Sequence, residues 1–241
     1  MRTNPFTMRG VIERCWLFTY RTPEASARAH LPAKIEPVTH GGCAFWNVVV
    51  CRIRAMRPRG FPTFMGFDYW HTAYRLYARA RCEGQWVEGL SFLRSDVDSR
   101  LMAWGGNALT DFRFHFARIE VREKNELVVG RVNSAAAPAE FALDRLTTPT
   151  LAQGSVFSSL AEAAEFLKYK PAALSLEEGG RLRLVRITRE ETAWKARLVN
   201  VARAQWSFLR NEEIHPEICY EVEPIAYQWN RGEVREPCVS S

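Results

Sequence analysis

The sequence predicts a mainly β fold of the α+β class, with a few short peripheral helices. The strongest signal is an alternating run at 74–81, followed by a turn at Glu83-Gly84 and a second run at 86–93. A third extended run follows at 112–121, after a short helical segment that ends at two glycines. Strand candidates are short and outnumber helix candidates, and this pattern predicts a barrel or a sandwich.

Strand candidates also occupy both ends of the chain. Residues 11–20 carry apolar side chains on both faces, as expected for a strand that is buried on both sides. Residues 43–54 are rich in β-formers and follow a glycine turn and a short strand at 35–38. A loop with two prolines and two glycines is expected at 57–66. Further strands are expected at 119–132, 181–188, 194–202 and 220–227.

Three short helices are expected, at residues 23–31, 98–104 and 159–169. Thr22 is the expected N-cap of the first helix, because its hydroxyl can accept a hydrogen bond from a free backbone N–H. Asp96 or Asp98 is the expected cap of the second. Ser159 and Glu162 have the spacing of a capping box, which predicts the start of the third helix.

Length and composition are those of a globular protein. The chain has 241 residues, 47% of them hydrophobic, and can bury a large core without disulfide bonds. No linker or internal repeat divides it, so we expect one domain over 1–241 with its core at 11–230. The net charge of +6 comes from 28 arginines and 5 lysines against 27 acidic residues. Because these charges interleave, we expect a solvated arginine-rich surface and no nucleic-acid partner.

Cysteine usage and the absence of targeting signals indicate the compartment. The six cysteines, at positions 15, 43, 51, 82, 219 and 238, match no zinc-site spacing, so we expect no metal and no cofactor. The longest apolar runs are too short to span a membrane, and the N-terminus lacks a long apolar segment. These features predict a cytoplasmic protein with reduced, mostly buried thiols and no membrane partner.

Several segments resemble a known superfamily. Residues 17–25, with Leu31-Pro32 and residues 35–37, resemble the N-terminal signature of acetoacetate decarboxylase, where a strand ending in Tyr-Arg-Thr leads into a helix. Later segments are similar to the YqjF-like bacterial relatives of that enzyme; they are 57–60, 74–77, 91–93, 116–119 and 220–224. The resemblance implies a closed, cone-shaped antiparallel β-barrel with a central small-molecule pocket.

The sequence departs from that superfamily at its catalytic centre. Acetoacetate decarboxylase forms a Schiff base on a lysine that lies beside a second lysine, because the neighbouring cation and desolvation keep the amine neutral. The corresponding residues 111–115 contain no lysine, and none lies between Lys34 and Lys124. Arginine cannot replace it, since a guanidinium stays protonated. We therefore expect no Schiff-base chemistry.

Two candidate residues come from the resemblance. Arg21 matches the family's active-site arginine, and its guanidinium is expected to bind a substrate carboxylate in the barrel near residues 112–115. The alternative is an arginine at a strand end that pairs with a surface acid. His71 lies near the place of the family's catalytic glutamate and is a catalytic candidate, because an unperturbed histidine exchanges protons near neutral pH.

Strand alternation adds three further candidates. Arg75 is expected to bind substrate if its strand face points inward. Arg113, a second substrate-binding candidate, and His115, a second catalytic candidate, share one strand face opposite three phenylalanines. They line the pocket only if that face points inward; otherwise the pocket wall at 112–116 is aromatic.

Three functions remain open at this point. The first is a protein that binds or acts on a carboxylate or carbonyl compound in the barrel; if it is an enzyme, we expect lyase- or hydrolase-like chemistry. The second is a non-catalytic binding or sensing module for an apolar ligand, and the third is a basic interaction protein. A perturbed pKa in the cavity favours the first, a dry aromatic cavity the second, and a continuous arginine stripe the third. Assembly into a homo-oligomer is also left open.

Overall fold

The structure is a computed structural model that describes residues 5–177, 180–190 and 194–235. Strands dominate it, as the sequence predicts. They are β1 Met8–Pro23, β2 Ile35–Pro37, β3 Thr39–His40, β4 Cys43–Pro58, β5 Phe67–Cys82, β6 Gln85–Val97, β7 Phe114–Phe116, β8 Arg118–Lys124, β9 Leu127–Asn133, β10 Ala139–Asp144, β11 Ala172–Leu176, β12 Leu182–Arg189, β13 Ala196–Leu198, β14 Asn200–Trp206, β15 His215–Val222, β16 Ile225–Trp229 and β17 Glu233–Arg235.

The helices are short and lie close to their expected positions. They are α1 Glu24–His30, α2 Arg100–Leu109 and α3 Leu160–Phe166, with single 3₁₀ turns at Thr63–Met65 and Ser207–Leu209. Among the described residues, none of these helices has the length and apolar character needed to cross a membrane.

A closed β-barrel forms the centre of the molecule. β1 pairs with β4 along its whole length, and its other edge pairs first with β16 and then with β15. The ring therefore runs β1–β16–β12–β11–β6–β5–β4 and returns to β1. This confirms the expected cone-shaped barrel class. The ring is mostly antiparallel, but β11 pairs in parallel with β6, and so does β7.

The two apolar faces of β1 pack against different layers, as its sequence pattern predicts. Cys15 and Leu17 point into the barrel, whereas Trp16 and Phe18 point outward and belong to a separate buried cluster. That outer cluster is covered by a four-stranded sheet in the order β14-β10-β9-β8. The Phe18 ring lies 5.2 Å from Phe141 of that sheet, measured between ring centroids. The barrel wall is thus buried on both sides here.

The helix caps agree with the prediction in one case of three. Ser159 accepts a hydrogen bond from the Glu162 backbone N–H, which confirms the cap of α3. The cap of α2 is Ser99, and the prediction of Asp96 or Asp98 was wrong. Asp98, which follows β6 directly, instead accepts a hydrogen bond from the backbone N–H of Trp70 on the neighbouring strand β5.

The cap predicted for α1 was also wrong. Thr22 is fully buried and still belongs to β1, which continues to Pro23, and the helix begins only at Glu24. Its hydroxyl makes no hydrogen bond in the described structure. Pairing with β4 extends as far as Pro23, opposite Cys43, so tertiary pairing overrides the local helix signal.

A buried ion pair joins the outer face of β6 to the second sheet. Arg94 donates two hydrogen bonds to the Asp96 carboxylate, at 2.9 and 3.0 Å, and a third to the hydroxyl of Ser134. Ser134 in turn donates to Asp96. Asp96 is fully buried and Arg94 nearly so. Each charge therefore depends on the other for its solvation.

Removing one partner of this ion pair should destabilise the fold strongly. Asp96→Ala leaves the Arg94 guanidinium buried without a counter-charge, and we expect the free energy of unfolding to fall by about 3–5 kcal/mol in urea denaturation. The matched control is Arg94→Met with Asp96→Leu, which removes both charges and should lose clearly less than Asp96→Ala alone. Equal losses for the two variants would contradict this account.

Candidate functional site

The inward side chains of the ring enclose a small cavity of about 50 Å³, the barrel chamber. Its wall is largely aliphatic and aromatic, and six of its residues are Cys15, Cys51, His71, Arg75, Phe92 and Tyr227. A volume of this size has room for roughly three or four waters or the head group of a small molecule. Cys15, Cys51 and His71 lie side by side, because Cys51 is directly opposite both Cys15 on β1 and His71 on β5.

Arg75 is a buried cation on the chamber wall. Only 5% of the residue is exposed, and its guanidinium carbon lies 5.4 Å from the centroid of the Phe92 ring. Burial lowers the pKa of this arginine, an effect that nearby thiols and tyrosines partly offset. In residues 5–177, 180–190 and 194–235, no carboxylate lies within ion-pairing distance of it, and its Nε has no hydrogen-bond partner.

A chain of hydrogen bonds through uncharged side chains holds Arg75 in place. Its Nη2 donates to the Asn47 side-chain oxygen, directly across the β4–β5 pair. Asn47 Nδ2 donates to the Tyr77 hydroxyl at 3.1 Å, and Tyr77 donates to the Leu167 carbonyl at 2.6 Å, just beyond α3. One side of the guanidinium is therefore fixed by an amide, which supplies an acceptor but no charge.

His71 is buried in the same chamber. Its Nε2 has no hydrogen-bond partner among the described residues, and its ring packs 5.6 Å from that of Phe114. Burial, reinforced by the positive charge of Arg75, lowers the pKa of His71 to about 3. The expectation that it exchanges protons near neutral pH is therefore wrong. The imidazole is neutral there and offers one uncommitted nitrogen.

The pattern of the sequence missed Cys15 and Cys51 as chamber residues and Asn47 as the side chain that holds Arg75. Asn47 interrupts a run of β-forming residues at 45–50, and a polar side chain inside such a run is the available signal. The two cysteines alternate with apolar residues and resemble ordinary core positions. Burial raises the pKa of both thiols, that of Cys51 to about 12, although Arg75 opposes this shift.

The structure does not bring Arg21 to the chamber. Its guanidinium donates to the Glu217 carboxylate at 2.9 Å, and Glu217 also accepts a hydrogen bond from Ser155. Arg21 lies opposite Phe45 on β4, six residues along β1 from Cys15, and does not line the chamber. It matches the alternative in pairing with an acid at a strand end, although this acid is buried and not on the surface.

Phe112 and Phe114 present an aromatic face to the barrel interior. Both are buried, whereas Arg113, His115 and Phe116 are exposed. Burial and the nearby Arg94 lower the pKa of His115. Arg113 lies before β7 and has a φ of 52°, so the alternation expected over 112–116 applies only within Phe114–Phe116. The structure does not group Arg113 and His115 with His71 and Arg75.

No lysine amine is part of the chamber wall. None of the five lysines contributes to its wall. Within the described part of the chain, no group of three or more histidine, cysteine, aspartate or glutamate side chains is arranged to hold a metal ion.

Solved structures with this fold are acetoacetate decarboxylases and related enzymes. The chain is similar to the acetoacetate decarboxylase of Legionella pneumophila, with 13% identity, a TM-score of 0.63 and coverage of 100% of this chain and 91% of that one. It is also similar to an acetoacetate decarboxylase-like enzyme from Sphingomonas wittichii, with 13% identity, a TM-score of 0.63 and coverage of 98% of this chain and 94% of that one. For the enduracididine biosynthesis enzyme MppR, solved with pyruvate, the identity is 14%, the TM-score is 0.56, and the coverage is 95% of this chain and 90% of that one. At these identities the likeness shows a common fold.

Sequence comparison is informative at the level of the family. No curated protein matches the chain in sequence. A family model for DUF2071, described as an uncharacterized conserved protein, matches residues 12–228. This match spans most of the 241 residues. The chain therefore belongs to the DUF2071 family and has the acetoacetate decarboxylase-like fold.

Proposed function

We propose that the protein binds a small carboxylate in the barrel chamber, with the Arg75 guanidinium as its anion receptor and without a Schiff-base lysine. The observation that carries this proposal is a buried arginine with no acidic partner in the described structure. Arg94, another buried arginine, has a carboxylate at 2.9 Å, and buried Arg57, which has none among the described residues, donates instead to two backbone carbonyls and to the Thr63 hydroxyl. Arg75 differs from them in facing a cavity.

The physical reason is the cost of an uncompensated buried charge. A guanidinium removed from water loses several kcal/mol of solvation unless an anion replaces it. Asn47 satisfies part of its hydrogen-bonding capacity, but the Nε remains unpaired. A ligand carboxylate can supply both the missing charge and the missing acceptor, and bidentate arginine–carboxylate pairs are favoured for this geometry. MppR, a protein of similar fold, is solved with pyruvate, a small carboxylate.

His71 is a hydrogen-bonding partner for the ligand in this proposal. With a pKa of about 3 it stays neutral, so it does not compete with Arg75 as a second cation. Its free Nε2 can donate to a carbonyl oxygen or accept from a hydroxyl, depending on the tautomer. This arrangement suits a carboxylate that carries a neighbouring carbonyl or hydroxyl group. Proton transfer by His71 is disfavoured, because so weak a base has little driving force at neutral pH.

The alternative functions have weaker support. The aromatic wall of the chamber favours an apolar ligand, but such a ligand would leave Arg75 uncompensated. A basic interaction surface is disfavoured because many surface arginines are paired with acids; examples are Arg14 with Glu123, Arg54 with Glu13, and Arg131 and Arg203 with Glu140.

The remaining assignments rest on the sequence. The order of its motifs supports a place among the YqjF-like bacterial proteins, as one domain. Cys15, Cys43, Cys51, Cys82 and Cys219 are free thiols, which supports a reducing compartment such as the cytoplasm. The number of protomers is a matter for direct measurement of mass in solution.

Arg75→Met should weaken carboxylate binding without unfolding the protein. Charge-assisted hydrogen bonds contribute about 1.5–3 kcal/mol, so we expect the Kd for acetate or pyruvate, measured by calorimetry or NMR titration, to rise about tenfold or more. The melting temperature should stay the same or increase, because an apolar side chain replaces an unpaired buried charge. Acetamide, the neutral analogue, should bind wild type more weakly than acetate does.

Two further variants act as controls for Arg75→Met. Arg203→Met removes an exposed arginine of the outer sheet and should leave acetate binding unchanged. Arg21→Met removes the partner of buried Glu217, so it should lower stability while binding persists. Loss of acetate binding in Arg21→Met, together with normal binding in Arg75→Met, would place the anion site at Arg21 and refute the proposal.

His71 should make the protein less stable in acid. Its pKa in the folded state is about 3, against its usual 6.5, so the unfolded chain takes up a proton below pH 6.5 that the folded protein cannot accept. Stability is therefore lost as the pH falls from about 6.5 towards 3. Between pH 7 and pH 5 this accounts for about 2 kcal/mol. Urea unfolding should show a loss smaller by that amount in His71→Gln; an unchanged pH profile would contradict the buried neutral imidazole.

Keto acids should form no specific covalent adduct with this protein. Its lysines lie outside the chamber, so nothing desolvates an amine beside the bound carbonyl. Borohydride treatment with pyruvate, followed by intact mass and peptide mapping, should reveal no single modified lysine. A lysine-dependent aldolase treated in parallel is the positive control. Stoichiometric trapping at one lysine would refute the expectation.

A further inference from the structure

A large surface groove lies outside the barrel wall next to the chamber. Its volume is about 820 Å³, and six of its lining residues are Ser91, Leu93, Thr110, Arg113, Ser175 and Arg183. It is thus formed by one edge of β6, the segment after α2, and strands β11 and β12. The groove is far larger than the chamber, which measures about 50 Å³.

The barrel wall is open where the groove meets it. β6 pairs with β11 at Leu90 and with β7 from Ser95 onward. In the described part of the chain, no strand pairs with residues 91–94 on that edge. Just before this gap β6 and β11 approach closely, since a Cβ on Gly89 would lie 2.7 Å from the Ala172 carbonyl oxygen.

Three aromatic rings separate the groove from the chamber. Phe92 lines both cavities, and its ring centroid lies 4.6 Å from that of Phe112. Phe112 in turn lies 4.9 Å from Trp229, which also lines the chamber. Arg75 is on the inner side of this partition, with its guanidinium 5.4 Å from the Phe92 ring. Asp111 and Arg113, the neighbours of Phe112 in sequence, line the outer side.

The groove contains one cation that is not neutralised. Arg183 is paired with Asp111 and Glu177. Arg113 is exposed and, among the described residues, has no ion-pair or hydrogen-bonding partner for its side chain. Two uncompensated guanidinium groups, Arg75 and Arg113, therefore lie on opposite sides of the aromatic partition.

We propose that the ligand is an elongated carboxylic acid with an anionic group at its far end. The head carboxylate binds Arg75 in the chamber, and the far anionic group lies in the groove near Arg113. An apolar middle section crosses the aromatic partition at Phe92, which lines both cavities, and this requires the contacting rings of Phe92 and Phe112 to move apart. This inference rests on the proposed function, because it takes Arg75 as the head-group receptor. It adds the class of ligand, an α,ω-dianion, and a second binding residue.

The sizes and chemistry of the three regions support this ligand class. The chamber can hold a carboxylate and little more. A flexible methylene chain suits the partition, because burial of apolar surface against aromatic rings contributes about 25 cal/mol per Å². Arg113 is exposed and screened by salt, so its contribution to binding is smaller than that of Arg75.

A series of three acids tests the proposal by calorimetry at low salt. Acetate probes the chamber alone, octanoate adds an apolar chain, and octanedioate adds a second carboxylate. The expected order of affinity is octanedioate above octanoate above acetate, with at least a tenfold gain from acetate to octanedioate. Arg75→Met should weaken all three ligands. Octanedioate that binds no more tightly than acetate would overturn the proposal.

Arg113→Gln isolates the second site. It should weaken octanedioate about three- to tenfold and leave octanoate and acetate unchanged. Arg122→Gln, which alters an equally exposed arginine on β8, is the matched control and should affect none of the three. An equal loss for octanoate and octanedioate in Arg113→Gln would overturn the role of Arg113.

The two proposals fail in distinguishable ways. If acetate binds and depends on Arg75 but the longer acids gain nothing, the proposed function stands and the elongated ligand is refuted. If acetate binding does not depend on Arg75, the proposed function is refuted first, and with it the head-group assignment.

Discussion

The pairing of β1 with β4 is the constraint on which the rest of the structure depends. It closes the ring, and it determines which side chains reach the interior, since Cys15 lies opposite Cys51 and Thr19 opposite Asn47. β4 pairs in turn with β5, and this pairing places Arg75 directly opposite Asn47. A shift of one residue would turn every one of these side chains to the other face of the wall. Both faces of β1 are buried, so such a shift would disrupt the packing on both sides of the strand and is therefore strongly disfavoured.

The interior combines well-packed apolar side chains with one buried charge that has no counter-charge in the described structure. Most of the chamber is aliphatic and aromatic, but Arg75 lies within it without an acidic partner in the described structure. Buried Arg94 is neutralised by Asp96, and buried Arg57 donates hydrogen bonds from all three of its nitrogens, whereas the Nε of Arg75 has no partner in the described part of the chain. Such local costs are common at sites where binding supplies the missing interaction. The neutral support from Asn47 and Tyr77 orients the guanidinium but leaves its charge available.

Sequence reasoning predicted the features that depend on local pattern. The strands, the turn at Glu83-Gly84 and the Ser159 cap all follow from alternation and capping chemistry. The inward face of residues 112–116 could not be predicted in this way, because either face satisfies the alternation and the choice is made by parallel pairing with the distant β6. Arg21 resembled a family arginine in its motif, but its role depends on Glu217, which lies 196 residues further along the chain. The absence of an acid beside Arg75 is likewise a property of the assembled barrel.

The pairing partners of β1 also have a consequence for how the protein folds. One edge of β1 is completed by β16 and β15, so that Trp16 contacts Glu221 across a separation of 205 residues. Contacts of such long range are slow to form, because a large loop must close before any of them is made. β4 follows β1 closely and can pair with one of its edges early, but the other edge stays unpaired until β15 and β16 are available. An unpaired edge of this kind is a template for aggregation, so this edge of β1 is a vulnerable part of the folding chain.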